Sequence, residues 1–400
     1  MAAASDTGRP ASGPGRPVVG GWRAGDPVGQ RQFASLGSLL TESGEHIHGL
    51  TLAYEALGSP RRDDEGRITN AVLVCHALTG DSHVSGDAGP GHPTPGWWGG
   101  VVGPGLALDT DEWYVVCPNM LGGCQGTTGP SSPHPDGGAW GSRFPDITIR
   151  DQVAAELLLA ERLGIHSWAA VVGGSMGAMR VLEWLAIAPD RVRSALVLAA
   201  GLKAHADQIG AYYSQISAIV SDPDWADGDY YRDADRGHGP FSGMAIARRL
   251  AQLTYRGADE IQQRFGNAFQ PDEDPLRGGR FAVESYLDHH AATLQARFDP
   301  GAYVVATRAM NTHDVGRGRG GAAAALAAAT MPVVVGGITT DRLYPLPLQR
   351  EIAAAIPGCS GLDVVDSPRG HDAFLLEHDA IGELIRRTLG RSTLRLVVNG

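Results

Sequence analysis

The stretch Ala169-Ala170-Val171-Val172-Gly173-Gly174-Ser175-Met176-Gly177-Ala178-Met179-Arg180 constrains this chain more than any other. Its first residues are an apolar run that reads as a buried strand, and Met176 to Ile187 has a helical composition that stops before Pro189. Between strand and helix the chain must turn within a few residues, with Ser175 at the apex. Gly173 and Gly177 make room for a turn that strains the serine backbone and lifts its hydroxyl above the carboxyl end of a sheet. This is the form of a nucleophile elbow. The letters Gly-x-Ser-x-Gly carry little weight alone in a chain with 55 glycines among 400 residues, because an ordinary glycine turn gives the same pattern. The surrounding sequence has to decide.

Strand and helix alternate on both sides of the elbow. Ala71 to Cys75 and Trp113 to Cys117 are short strand patterns, Ile149 to Leu163 is an amphipathic helix, and Ser194 to Ala200 is a strand. The alternation predicts a mostly parallel central sheet with helices on both faces. Two earlier strands are expected at Leu39 to Ser43 and Leu50 to Tyr54. From about Lys203 to Ala323 the alternation stops and helical stretches such as Met244 to Thr254 take over, as in a lid inserted over the carboxyl edge of the sheet. The sheet resumes with Met331 to Gly337 and Gly361 to Val365, and Ala373 to Leu389 is expected as a terminal helix. The expected divisions are a disordered leader over 1–32, a core over 33–202 and 324–390, a helical lid over 203–323 and a C-terminal tail over 391–400.

A formal net charge of -11 argues against a general binder of nucleic acid or anionic membrane, since both need a clustered positive field. Arg317-Gly318-Arg319-Gly320-Gly321 is one short basic run and reads as a loop. The four cysteines, Cys75, Cys117, Cys124 and Cys359, are widely spaced, with no close pair of metal-ligand type, as in a reducing compartment. No apolar run approaches the roughly 20 residues that cross a bilayer, so a cytoplasmic protein is expected. The glycines from Asn119 to Pro130 imply backbone passing close to a ligand or to a neighbouring strand; no Lys follows as a phosphate loop would require. Trp97 and Trp98 read as loop anchors.

The strand Ala71 to Cys75 runs into His76-Ala77-Leu78-Thr79-Gly80-Asp81-Ser82-His83. Here the backbone N–H of Leu78 is placed to form half of an oxyanion hole, with the N–H of Met176 as the other half. His76 is expected to be a satisfied histidine under the sheet, whereas Thr79 faces the site. Asp341 and His371 stand just beyond two late strands, so serine, acid and histidine follow in the chain order of the α/β-hydrolase fold. In such a triad His371 takes the proton of Ser175, and Asp341 fixes the imidazole tautomer and stabilises the imidazolium. Charged groups near the triad favour a polar acceptor. Asp372 follows the histidine directly, and the lid offers Arg248, Arg249 and Arg256; a carboxylate and a guanidinium in one pocket suit an amino acid. Arg249 is expected instead to be a surface or ion-paired charge.

The segments His76 to His83, Leu121 to Pro130, Gly173 to Gly177, Leu253-Thr254-Tyr255-Arg256 and Gly370-His371-Asp372-Ala373-Phe374 resemble those of homoserine O-acetyltransferases, α/β-hydrolase-fold enzymes of methionine biosynthesis. The resemblance covers about 33 to 390 and departs at a long lid loop, Tyr230 to Gly243. It implies acetyl transfer from acetyl-CoA to the side-chain hydroxyl of L-homoserine by a ping-pong route through Ser175, with Asp341 and His371 completing the triad. It further implies that Arg248 and Asp372 bind the amino acid, that Tyr255 and Thr79 line its pocket, and that lid helices form a homodimer contact. Acetyl-CoA is then a co-substrate, with no metal or bound prosthetic group needed. Three alternatives stay open: a succinyl donor or serine acceptor on the same fold, a plain esterase, and a catalytically silent binding module.

Overall fold

The computed structural model describes residues 20–232 and 238–398. Its strands are β1 (Gln32–Leu40), β2 (His46–Leu57), β3 (Ala71–Cys75), the short pair β4 (Val102–Gly103) and β5 (Leu108–Asp109), β6 (Tyr114–Pro118), β7 (Ala170–Gly174), β8 (Ala195–Leu198), β9 (Val333–Ile338) and β10 (Cys359–Val365). Eight of them form one sheet in the order β1-β2-β6-β3-β7-β8-β9-β10. Only β2 pairs antiparallel, with β1 and with β6; every other neighbouring pair is parallel. Strands β3 and β7 are buried at every residue, which is why their sequences are unbroken apolar or small runs without alternation.

Register lines up the carboxyl ends. Cys75 faces Gly173, Gly174 faces Leu198, Leu198 faces Gly336 and Ile338 faces Val365. After β3 the chain crosses to β6 on one side and then returns to β7 on the other. The crevice outside the carboxyl ends of β3 and β7 is therefore the topological switch point, where open parallel sheets bind ligands.

Helices α1 (Ile149–Leu163) and α2 (Met176–Ile187) lie on one face of the sheet. Thr148 and Asp151 form a capping box at the start of α1, and Gly164, at φ 72°, ends it. On this face Leu73, Val171, Val197 and Val335 pack with Val153 of α1 and Met179 of α2. Between α1 and α2 lies a buried polar cluster: Arg180 Nη1 donates to Glu156 Oε1 at 2.6 Å and Trp184 Nε1 to Glu156 Oε2 at 2.7 Å. Glu156→Ala would strand a guanidinium with no solvent exposure. The expected loss is about 3–5 kcal/mol of stability, read as a lowered urea midpoint at unchanged slope.

Six helices lie between β8 and β9: α3 (Ala206–Val220), α4 (Phe241–Tyr255), α5 (Ala258–Phe265), α6 (Ala282–Arg297), α7 (Pro300–Asn311) and α8 (Ala322–Ala325). No strand of the sheet comes from this stretch among the described residues, and residues 233–237 of the Tyr230–Gly243 loop lie outside them. Helix α9 (Leu346–Ala355) then shares the face of α1 and α2. The last helices are α10 (Ala373–Leu376) and α11 (His378–Val398), and Ile381 and Leu384 of α11 cover the opposite face over Val72, Val172 and Val334.

Four expectations need correction. Residues 20–31 of the 1–32 leader are not disordered, while 1–19 lie outside the described residues. Gly20 N donates to Gln295 O, and the buried Arg31 donates to Gly91 O and to Gln125 Oε1, partners that a local reading of composition cannot see. The strand expected at Leu39–Ser43 is instead the end of β1 and a turn closed by Thr41 N to Glu45 O. A register break at Gly37, φ 78°, hides the alternation of β1 from the sequence. The terminal helix is broken at Glu377, whose side chain accepts from Ser367 Oγ at 2.7 Å. The tail expected over 391–400 is helical as far as Val398, since no proline interrupts α11.

Candidate active site

Ser175 stands between β7 and α2 with φ 57° and ψ -126°, a conformation unfavourable for any residue with a side chain. The turn is wedged from below. A Cβ on Gly177 would sit 2.0 Å from Cys75 O, and one on Gly173 would sit 2.6 Å from the Gly177 backbone. Only glycine at both positions lets the elbow press against the end of β3. Ser175 is 5% exposed and lines a cavity at the switch point.

Asp341 follows β9. Its Oδ1 accepts from the N–H groups of Leu343 and Tyr344 at 2.9 and 2.8 Å, which leaves Oδ2 for His371 Nδ1 at 2.8 Å. Since a carboxylate only accepts, Nδ1 carries the proton and Nε2 keeps its lone pair. The rings of Tyr255, Tyr344 and Phe374 surround the imidazole with centroids 5.4 to 5.9 Å away. Burial disfavours the imidazolium, but the Asp341 carboxylate outweighs it with help from Asp372, so the His371 pKa lies above the ordinary histidine value. His371 lines the cavity that Ser175 lines; Asp341 supports it from behind.

Leu78 and Thr79, on the loop after β3, face the same cavity. Met176 is fully buried at the first position of α2 and is not part of the cavity wall, yet its backbone N–H lies at the positive end of that helix. Among the described residues no protein acceptor is paired with the N–H of Leu78 or Met176. Buried N–H groups without a partner are rare in folded proteins and suit a ligand oxygen. His76 is indeed satisfied: Nδ1 donates to Ala77 O, Nε2 accepts from Met120 N, and burial pushes its pKa well below the ordinary value.

Arg248, Tyr255 and Asp372 complete the far wall. The Arg248 guanidinium lies 5.3 Å from the centre of the Tyr255 ring, and its buried Nε has no partner among the described residues. Asp372 accepts no hydrogen bond from a described residue; its one ion-pair contact is Arg256 Nη1 at 3.7 Å, while Arg256 itself is held by Glu260 at 2.7 Å. Burial raises the Asp372 pKa above the usual carboxylate range, opposed by Arg248, His371 and Arg256. Arg249 is spent on Asp288 at 2.8 Å. A cation and a carboxylate thus face one cavity, neither tightly engaged by the protein.

Two charged residues that line this cavity, Arg297 and Asp81, are not singled out in the sequence, and Trp97 reads there only as a loop anchor. Arg297 ends a helix that carries no motif, so nothing local marks it. Trp97 is anchored through Nε1 to Asp81 O at 2.9 Å and also faces the cavity, unlike Trp98, which is buried and donates to Phe374 O. The glycine-threonine segment serves its neighbouring strand: Thr127 and Thr128 hydroxyls accept from Ala53 N and Thr51 N of β2. The basic run in the lid is spent on ion pairs of Arg317 with Glu42 and Arg319 with Glu183. Glu55, His83 and His92 form a buried cluster of metal-ligand residue types. The nitrogens nearest the carboxylate are already committed, His83 Nδ1 to Glu55 at 2.9 Å and His92 Nε2 to Gln30 N–H at 2.9 Å, while His92 Nδ1 has no partner among the described residues, so the cluster reads as a hydrogen-bonded core element.

The family described as alpha/beta hydrolase fold matches residues 70–378. A homoserine O-acetyltransferase of Thermobifida fusca (strain YX) is 57% identical over 380 residues, covering 94% of this chain and 98% of that protein. The chain belongs to the homoserine O-acetyltransferase family. Among solved structures, the homoserine O-acetyltransferase from Bacillus anthracis has the same fold, with a TM-score of 0.79 at 22% identity over 90% of this chain and 97% of that one. Esterase E22 is equally similar in shape, with a TM-score of 0.79 at 25% identity, covering 90% of this chain and 99% of its own. The shared fold therefore spans both transferases and esterases, and residues around the elbow must set the acceptor.

Proposed function

We propose that the protein transfers the acetyl group of acetyl-CoA to the side-chain hydroxyl of L-homoserine, in methionine biosynthesis, through an acetyl ester on Ser175. What carries the reading is one cavity that joins Ser175 to the Asp341–His371 pair and to two loosely engaged charges, Arg248 and Asp372. His371 Nε2 takes the Ser175 proton as Oγ attacks the thioester carbonyl, and the oxyanion receives the N–H groups of Leu78 and Met176. Collapse breaks the C–S bond, and CoA leaves with the proton from His371. Homoserine then binds with its ammonium toward Asp372 and its carboxylate toward Arg248, against Tyr255 and Thr79. His371 takes its hydroxyl proton, the new ester forms, and Ser175 regains its hydrogen. Acetyl-CoA is a co-substrate, and these steps call on no metal or prosthetic group.

The likeness in shape to esterase E22 favours water as a rival acceptor. Against it stand the two pocket charges, which an ordinary ester hydrolysis would not use. Exposed apolar residues on two packed lid helices, Ile209 and Tyr213 of α3 with Ile246, Leu250 and Leu253 of α4, support a homodimer formed through the lid; the mass in solution decides it. No helix among the described residues is long and apolar enough to cross a membrane, and the relatives' biosynthetic role supports a cytoplasmic location.

Intact mass spectrometry tests the scheme. Enzyme mixed with acetyl-CoA alone should gain one acetyl group on Ser175, and homoserine should clear it far faster than water does. In Arg248→Leu the adduct should form normally, with clearance by subsaturating homoserine slowed at least about 30-fold. An adduct that water clears as fast as homoserine does would favour the esterase.

A further inference from the structure

The loop from His76 to Gly80 carries the Leu78 N–H, and three of the carbonyls around this donor, those of His76, Ala77 and Thr79, are tied down. His76 O accepts from Arg180 Nη2, Ala77 O from Gly80 N at 2.9 Å and from His76 Nδ1 at 2.8 Å, and Thr79 O from Arg297 Nη1 at 2.7 Å. The two guanidinium ties come from different parts of the molecule. Arg180 belongs to α2, the helix whose first N–H is that of Met176. Arg297 is the last residue of α6, in the helical stretch between β8 and β9, and lies 218 residues from Thr79 in sequence.

Arg297 is unusual for a cavity cation. Burial lowers its pKa, Asp81 opposes that shift and Arg248 adds to it. No carboxylate lies within ion-pair distance of it among the described residues, and its only side-chain hydrogen bond there is the one to Thr79 O. Its own carbonyl accepts from Gln125 Nε2, whose Oε1 accepts from Arg31, so the backbone that places it is itself fixed. A half-buried guanidinium spent on one backbone carbonyl gains little unless the position of that carbonyl matters. Rotation of the Thr79 peptide would pass along the loop and swing the Leu78 N–H away from the point where negative charge develops.

We propose that Arg297 is a positioning residue for the oxyanion hole: docked from the lid, it fixes the Thr79 carbonyl and thereby aims the Leu78 N–H. The inference rests on the reading of Leu78 as an oxyanion donor. It makes the catalytic centre complete only when α6 is in place, so the helices that shape the acceptor pocket also finish the site of charge stabilisation.

The test uses the full-length enzyme with Arg297→Met and Arg297→Lys. The rate of Ser175 acetylation by acetyl-CoA is followed in single turnovers, together with KM for both substrates and the affinity for methylboronic acid, which forms a tetrahedral anionic adduct on the serine. Loss of aim should slow acetylation by about 10- to 100-fold in the Met variant, part of the 10²–10³ typical of removing an oxyanion donor outright. Boronate affinity should fall by a similar factor while both KM values stay within about twofold, a pattern that a general loosening of the fold does not give. Lys, which still reaches the carbonyl with one donor, should recover most of the rate. Arg297→Gln, neutral and too short to reach, replaces Met if that variant does not fold. A large rise in KM for acetyl-CoA at unchanged acetylation rate would overturn the inference and make Arg297 a donor-binding cation; an unchanged rate and unchanged boronate affinity would overturn it as well. If the wild-type enzyme forms no acetyl adduct on Ser175, it is the acyl-serine reading itself that fails.

Discussion

Ser175→Ala is expected to lower the turnover of acetyl-CoA and homoserine by about 10⁵- to 10⁶-fold, because the acyl group then has no oxygen to rest on and the other triad members cannot act without it. The fold should survive, since the serine hydroxyl has no hydrogen-bond partner among the described residues and the strain at φ 57° belongs to the backbone. Thiol release and thermal unfolding, measured on the same preparation, separate the two effects. The acetyl adduct seen with the parent enzyme should be absent. An adduct that persists on another side chain, such as the Cys124 thiol of the glycine-threonine segment, would break the scheme. Burial pushes the Cys124 thiol far up, to a value at which almost no thiolate exists near neutral pH, so that outcome is not expected.

Asp341→Asn should cost about 10⁴-fold in kcat with little change in either KM. An amide can donate toward Nδ1, and the imidazole would then hold its proton on Nε2, facing the serine it is meant to deprotonate. The pH profile gives a second reading. On the proposed scheme His371 must be neutral to act as base, and its pKa is raised, so acetylation is expected to be complete above that raised value and lost as pH falls through it. Without the carboxylate, burial is left to dominate and the pKa falls, so the acid limb should move to lower pH even as the plateau drops. A limb that stays in place would show that another group controls it.

The parts of the fold that could be read from sequence are those where one local pattern has one structural solution. The unbroken apolar strands β3 and β7, the wedge of glycines around Ser175, and an acid and a histidine just past two late strands are all of this kind. What was hidden depends on partners far along the chain. The leader looks polar and low in pattern, yet Arg31 finds Gln125 and Gly91 and becomes buried. Arg249 already reads from the sequence as a surface or ion-paired charge, but composition could not choose between Arg248 and Arg256. Geometry separates them, because Asp288 takes Arg249, Glu260 takes most of Arg256, and Arg248 keeps a free face toward the cavity. Arg297 gave no signal at all, since its hydrogen bond is to a backbone carbonyl, which leaves no trace in residue identity.

The turn that carries His371 meets the end of α4 with almost no space between them: a Cβ on Gly370 would lie 2.5 Å from Gly257 N, and one on Gly257 would lie 2.1 Å from Pro368 O. The proposed base and the proposed acceptor wall therefore share a hinge pin. A relative that adapts to a different alcohol has little freedom to slide this helix, because any slide would drag the imidazole with it. New preferences are better sought in the side chains that α4 presents, which can be exchanged one at a time while the proton-transfer geometry is inherited intact.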